Sequence, residues 1–337
     1  MPRFQVACFA LALSLSPATL PLLAQNYAVK DLGTLGGNWS LAKAINNNGQ
    51  VAGAAADANG LAHAFLYSSG KIKDLGTLGG EDSIANSLNA AGVAAGYSET
   101  ADGYSGFVFR HGQLIPITGL SSTYSTVQGI NRSGQVTGQS INASGQPASF
   151  FFSNGQVTDL GSLGDDKDGT YAEAINASAQ IVGLSYRADG NFRGFLWQAG
   201  AMTDLGTLGG DWSVAYGIND AGQITGVGYT PKTAHAFLYS NGKMQDIDKR
   251  SNLFESVGEA INQSGVVVGE VQVKGNGGSV NFHAFVFSHG KMLDLNKLIP
   301  ADSGWILKEA SGINDAGQIV GWGYHNKRER AFLLTPR

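Results

Sequence analysis

Three His-Ala-Phe triplets begin at His63, His235 and His283, and six Asp-Leu-Gly-like segments begin at Asp31, Asp74, Asp159, Asp204, Asp246 and Asp294. These are the residue types that could bind a metal or move a proton. Each set recurs at one position of a repeat, so its members are held apart, whereas zinc needs its ligands within about 2.3 Å of one point. Glycoside hydrolysis likewise needs two carboxyl groups roughly 5–10 Å apart around one bond. The His are therefore read as polar residues opening a strand and bonding a neighbouring loop. The Asp are read as acceptors for nearby turn N–H groups. The run Gly164-Asp165-Asp166-Lys167-Asp168-Gly169 resembles part of a Ca²⁺ loop, but Gly164 and Ile175 stand where that loop needs acids. It reads as a solvated acidic turn.

A repeat positions all of these residues. Ile-Asn or Leu-Asn pairs place Asn at 46, 89, 131, 176, 219, 262 and 314, 42 to 52 residues apart. A Phe follows each pair, at Phe65, Phe107, Phe150, Phe195, Phe237, Phe285 and Phe332. Nine residues after six of these Phe comes the Asp-Leu-Gly-like segment, with Pro116 in place of Asp in the second unit. Each unit holds four short apolar runs separated by turn residues, the pattern of four antiparallel strands. The first turn is Asn-x-x-Gly, with Ala179 its one exception, and the second is Ser-Asn-Gly-like. Both supply a left-handed residue where a hairpin needs one.

Strands one to three occur seven times and the fourth follows six of them, while an unmatched fourth-type run, Tyr27–Leu32, precedes the first unit. Setting that run beside the last three strands closes a ring and removes two open edges. Four strands in about 40–45 residues is the β-propeller period. The predicted fold is all-β: one seven-bladed β-propeller over residues 25–337, four antiparallel strands per blade, closed by the N-terminal strand.

Composition agrees. The 337 residues include 48 Gly, and only 14% are charged, against about 7% Gly and about 25% charged in an average domain. That excludes a coiled coil or helical bundle. A net charge of −4 argues against a nucleic-acid partner. Met1-Pro2-Arg3, the uncharged apolar run Phe4–Leu15 and the close Leu23-Ala24-Gln25 read as a signal peptide over 1–24, too short to span a bilayer. Its removal near Ala24 takes away Cys8, the single Cys. The mature chain is then expected to be a secreted or periplasmic monomer without disulfides, cofactor or membrane insertion.

Functional side chains are sought where the repeats disagree, because variable loops on a rigid scaffold are the usual place for binding. The inter-blade loops carry Trp39, Trp212, Trp305, Tyr124 and Tyr171, and the loops after strand two carry Tyr104, Tyr186, Arg187, Phe192, Tyr229, Trp322 and Tyr324. Three residues before each repeat Asn runs a further variable series: Lys43, Asn86, Gln128, Glu173, Tyr216, Glu259 and Ser311. With the first strand innermost, that series lies near the central channel. Aromatics among polar groups suit sugar rings or protein partners. Trp39 and Trp212, both in Gly-Gly-x-Trp-Ser, are read either as ligand contacts or as plugs between blades.

The function expected is a non-catalytic binding or scaffold propeller for a polysaccharide or an extracellular protein. The ligand residues proposed are Trp39, Trp212, Trp305, Tyr104, Arg187, Tyr324, Lys43, Glu173, Tyr216 and Glu259. The alternative is a polysaccharide hydrolase or lyase at the channel mouth using Glu173, Glu259 and Lys43.

The three His-Ala-Phe triplets, together with the DLGTLGG segments at 31–37, 74–80 and 204–210, resemble the HAF-repeat family of predicted extracellular bacterial proteins. The resemblance covers essentially all of the mature chain. It departs at Ser149-Phe150 and at Pro116-Ile117-Thr118. It implies export and a repeat fold, and it brings no catalytic residues.

Overall fold

The computed structural model describes residues 26–121, 123–164, 169–250, 254–275 and 279–337. The expected leader and the acidic residues Asp165–Asp168 lie outside them. Strands β1 to β28, numbered along the chain, form seven antiparallel sheets of four. Blade 1 consists of β2 (Gly36–Ile45), β3 (Val51–Asp57), β4 (Ala62–Ser68) and β5 (Lys71–Asp74), paired in that order. Blades 2 to 6 repeat this over residues 83–117, 125–159, 170–204, 213–246 and 256–294. Blade 7 is β26 (Trp305–Ile313), β27 (Ile319–His325) and β28 (Arg328–Pro336), completed by β1 (Tyr27–Asp31). The seven-bladed propeller and its closure are as the repeat predicts. β1 pairs with β28 from Tyr27 opposite Pro336 to Asp31 opposite Phe332. Tyr27 is fully buried in one cluster with Trp305, Leu307 and Phe332.

The repeat Phe fills each blade, and all seven copies are fully buried. Opposite each lies a Gly of the second strand, such as Gly53 opposite Phe65 and Gly226 opposite Phe237. These Gly are not hairpin residues. Every innermost strand carries a β-bulge at one point, between Ala42 and Ala44 in blade 1. A Cβ on Gly53 would collide with the Leu41 carbonyl, and one on Gly226 with the Val214 carbonyl. The Gly excess therefore has a second source besides turns: the bulge demands Gly across from it.

The Asn-x-x-Gly turn also joins the blades. The Asn Oδ1 accepts the backbone N–H groups two and four residues on, in every blade. Its Nδ2 donates to the backbone carbonyl of the matching Asn in the next blade, at 3.0–3.2 Å, from Asn46 to Asn89 and onward until Asn314 returns to Asn46. None of the seven is more than 6% exposed. The ring thus closes through a circuit of side chains as well as through β1.

Candidate functional site

The bulges decide where the variable chemistry lies. The residue each one inserts is a member of the variable series: Lys43, Asn86, Gln128, Glu173, Tyr216, Glu259 or Ser311. A bulge re-aims its extra side chain, and these seven together line one cavity of about 210 Å³ to which every blade contributes, the central channel. Ile45, Ile175, Ile218, Ile261 and Ile313 line it too. A second cavity of about 170 Å³, on the side of the Asn circuit, shares Ile45, Ile261 and Ile313 with the first. An apolar collar therefore separates the polar mouth from the Asn side.

The polar ring is asymmetric. Along one arc the side chains are tied down. Asn86 Nδ2 donates to Gln128 Oε1 at 2.8 Å and to the Val127 carbonyl at 3.0 Å, and Ser311 Oγ donates to the Ala42 carbonyl at 2.7 Å. Glu173 accepts from Gln139 Nε2 at 3.3 Å. Lys43, Tyr216 and Glu259 make no side-chain hydrogen bond among the described residues. Burial pushes Glu259 up to about 8, with repulsion from Glu309 and Glu270 adding and Lys43 opposing. Burial also raises Glu173 to about 7 against the pull of Lys43. Burial, then the charge of Glu259, lifts the Tyr216 phenol well above its usual range.

Glu270 and Glu309 belong to this environment and were not anticipated. Burial and then Glu309 raise Glu270 to about 7, with Lys308 opposing. Glu309 accepts from Trp322 Nε1 at 2.9 Å. Glu270 occupies the second-strand position after the obligatory Gly, held elsewhere by Ala54, Tyr97, Gln139, Leu184, Val227 and Trp322. That second variable series was the signal available for it.

The expected aromatic residues disperse. Trp212 is half-buried and packed between Tyr229 and Phe192, each ring 5.5 Å away, with Tyr186 extending the row from Phe192 at 5.5 Å. The row belongs to a cluster that includes Tyr216, so it reaches the channel wall. Trp305, expected on the ligand face, is instead 8% exposed in the core, stacked on His325 at 4.7 Å and edge-on to Phe332. It lies there because β26 begins at Trp305 itself, which brings the ring into the blade. Trp39 lies within β2 rather than in a loop, half-buried and without an aromatic partner among the described residues. Tyr104 is 40% exposed, edge-on to Tyr97. Tyr324 lies edge-on to Trp322. Arg187 is engaged by Asp204 at 3.1 Å and Asp189 at 3.7 Å. The structure brings Lys43, Glu173, Tyr216 and Glu259 together and leaves the other expected ligand residues outside the cavity.

The repeated His and Asp meet each other. Nδ1 of His63, His235 and His283 lies 2.9 Å from Oδ2 of Asp74, Asp246 and Asp294, on the outer strand of the same blade rather than on a loop. His325 does the same with Asp31 of β1. The other oxygen of each of these Asp accepts a turn N–H two residues on, from Gly33, Gly76, Asp248 and Asn296. These pairs fasten the outer strands and lie apart from the channel.

Fold and channel together define a closed seven-bladed β-propeller with one polar mouth. Residues 209–333 match a family model described as a protein of unknown function (DUF3466). No curated protein matches the chain. Among solved structures it is similar to the β-propeller domain of the trilobed protease from Pyrococcus furiosus, with 9% identity, a TM-score of 0.58, and 92% of this chain and 93% of that one covered. That domain is described as having an open velcro topology, whereas here β1 pairs with β28. It is also similar to the acylaminoacyl peptidase of Pyrococcus horikoshii, at 13% identity and TM-score 0.58, covering 91% of this chain and 53% of that one. The puromycin-hydrolyzing peptidase of Mycobacterium tuberculosis follows at 10% and 0.53, covering 86% and 49%. The chain spans about half the length of these two peptidases, and at such identities the likeness is one of fold alone.

Proposed function

We propose that the mature chain is an exported, non-catalytic propeller of the HAF-repeat kind that takes a carbohydrate at the polar mouth of its channel. The observation that carries this reading is the set of seven bulges, which present seven side chains of six different types on an otherwise uniform frame. Lys43, Tyr216 and Glu259 make no side-chain hydrogen bond among the described residues, so they are open to sugar hydroxyls. The aromatic row through Trp212 supports the wall beside them. A cavity of about 210 Å³ is smaller than the usual pocket for a drug-sized ligand, so it suits a single terminal sugar ring rather than a threaded chain.

A glycan array with the mature protein tests the reading, alongside the Tyr216→Ala and Lys43→Ala variants. Binding of a defined terminal sugar, weakened at least tenfold in both variants, is expected. Binding to no glycan sinks it, and capture of a protein instead moves the function to the second ligand class.

A hydrolase or lyase at the same mouth is the second reading, favoured by the carboxyls of Glu173 and Glu259 holding protons near neutral pH. Against it, the two glutamates come from blades 4 and 6 with Tyr216 of blade 5 between them. No His or Asp lines the cavity. Release of reducing ends from the bound glycan, abolished in Glu259→Gln, would establish catalysis.

A further inference from the structure

The repeat supplies its own control for locating a site away from the channel. On the face of the Gly turns, several blades close their edge in one way. A Gln just after the first turn donates to the residue before the second: Gln135 to Ser153 at 3.0 Å, Gln180 to Gln198 at 3.1 Å, and Gln318 to Thr335 at 3.5 Å. The same Gln covers the turn Gly of the next blade, as Gln50 covers Gly92 and Gln223 covers Gly265. Blade 2 breaks the pattern. Val93 stands in place of the Gln, as Val266 does in blade 6, but only in blade 2 does an Arg, Arg110, stand where the other blades have Ser, Gln or Thr. The Arg110 guanidinium covers Gly134 of blade 3 instead.

Blade 3 departs as well. After the circuit Asn, blades 1, 5, 6 and 7 carry side chains that accept an N–H from the preceding blade, as Asp220 does from Ala177, Gln263 from Asp220 and Asp315 from Gln263, while blades 2 and 4 carry Ala90 and Ala177. Blade 3 has Arg132 there, which can only donate. The two departures open a cleft of about 440 Å³ between blades 2 and 3 whose lining includes Arg110, His111, Arg132 and Phe109 but no carboxylate. Neither guanidinium makes an ion pair or hydrogen bond among the described residues. Lys73 Nζ lies 5.0 Å from the Phe109 ring and adds a further cation beside the cleft.

We propose that this cleft binds a tetrahedral oxyanion, a phosphate or sulfate group, between Arg110 and Arg132. A seam filler accounts for one long side chain, and a Gln does that work in blades 1, 4, 5 and 7. Two guanidinium groups with no hydrogen bond or ion pair among the described residues line one cavity, on a chain of net charge −4, and their like charges favour an anion there. Guanidinium forks match the oxygen geometry of such a group and grip it in bidentate fashion. The cleft is large enough for the group together with part of the molecule that carries it.

The test is calorimetric titration of the mature protein with inorganic phosphate and with sulfate, against chloride at matched ionic strength. Parallel arms use a hexose phosphate, a sulfated oligosaccharide and phosphatidylglycerol vesicles. Saturable binding is expected, reduced at least tenfold in Arg110→Gln and in Arg132→Gln. Arg187→Gln, which removes an exposed and already paired arginine elsewhere, should leave it unchanged. Tighter binding in any one arm, lost in the same two variants, supports the site and identifies the source of the anion. Absence of binding beyond chloride in every arm, or binding that survives the double Arg110→Gln/Arg132→Gln variant, overturns the proposal. Unchanged melting temperatures confirm that the variants are folded.

Discussion

Blade 3 contains two turns of nearly the same sequence, Asn131-Arg132-Ser133-Gly134-Gln135 and Asn142-Ala143-Ser144-Gly145-Gln146, with the same backbone bonds. In both, Asn Oδ1 accepts two N–H groups, at 3.0 and 3.1 Å in the first and 2.9 and 3.0 Å in the second. Only Asn131 is in the circuit, donating to the Asn176 carbonyl at 3.1 Å and to Gln135 Oε1 at 2.7 Å, and it is 4% exposed. Asn142→Ala therefore loses two bonds in a half-buried turn, a cost of about 1 kcal/mol. Asn131→Ala loses four and leaves a buried carbonyl without its donor, a cost of about 3–4 kcal/mol. The difference, about 2–3 kcal/mol, measures one link between blades. For some 310 residues the unfolding entropy is about 0.65 kcal/mol/K, so the two variants should melt about 3–5 °C apart. Asn131→Asp keeps both acceptor bonds but sets a buried carboxylate oxygen against the Asn176 carbonyl in place of the donor, so at neutral pH it should melt well below Asn142→Ala. Differential scanning calorimetry on all three provides the measurement. Equal melting of Asn131→Ala and Asn142→Ala would mean that the circuit contributes nothing to stability.

Two further outcomes follow from the burial of Glu259 and of β1. A carboxyl at about 8 in the folded chain and near 4.5 when unfolded keeps a proton on folding between those values, so its contribution to stability falls as pH rises through that window. Allowing for water in the channel, the fall is about 2 kcal/mol between pH 5 and 9, and Glu259→Gln should remove it. Urea midpoints at the two pH values decide this, and the same pH slope in both proteins would contradict it. Deleting Tyr27–Asp31 strips Tyr27 from its core cluster and exposes the edge of β28. Losing that burial and pairing costs at least about 5 kcal/mol and lowers the melting temperature by about 8 °C or more. A truncated chain melting at the wild-type temperature would show that β1 does not hold the ring shut.

Blade number and ring closure were legible because they depend on counting local patterns. The channel series was legible for a related reason: seven positions in one register that differ only in side chain. The partners of the repeat Asn were not, because six Nδ2 reach a carbonyl 42 to 52 residues away and Asn314 reaches one 268 residues away, and a turn already accounts for Asn at that position. Trp305 misled because it follows the turn residues Asp302-Ser303-Gly304, as a loop residue would, while its strand starts at the Trp itself. Glu270 and Glu309 escaped notice for a third reason. Each is an ordinary polar residue in its own strand, and their significance arises only when blades 6 and 7 pack together.

The frame and the channel follow opposite rules, and the contrast supports a functional reading of the channel. Everything that shapes a blade is nearly invariant round the ring: the buried Phe, the Gly across from the bulge and the Asn circuit. Substituting the bulge residue leaves those interactions intact, so a chain selected for stability alone could fill the ring with small neutral groups, as Ser311 and Asn86 do. Here Glu173 and Glu259, with Glu270 nearby, are instead held in surroundings that oppose their ionisation, and they make no ion pair among the described residues. Such an arrangement lowers stability at neutral pH. Perturbed carboxyls gathered in a cleft are a mark of functional sites, and the cost they impose falls on the ligand-free protein. A ligand that supplies hydrogen bonds to Glu259 and Tyr216 relieves that cost on binding, which gives the sugar site proposed at the polar mouth a source of binding energy.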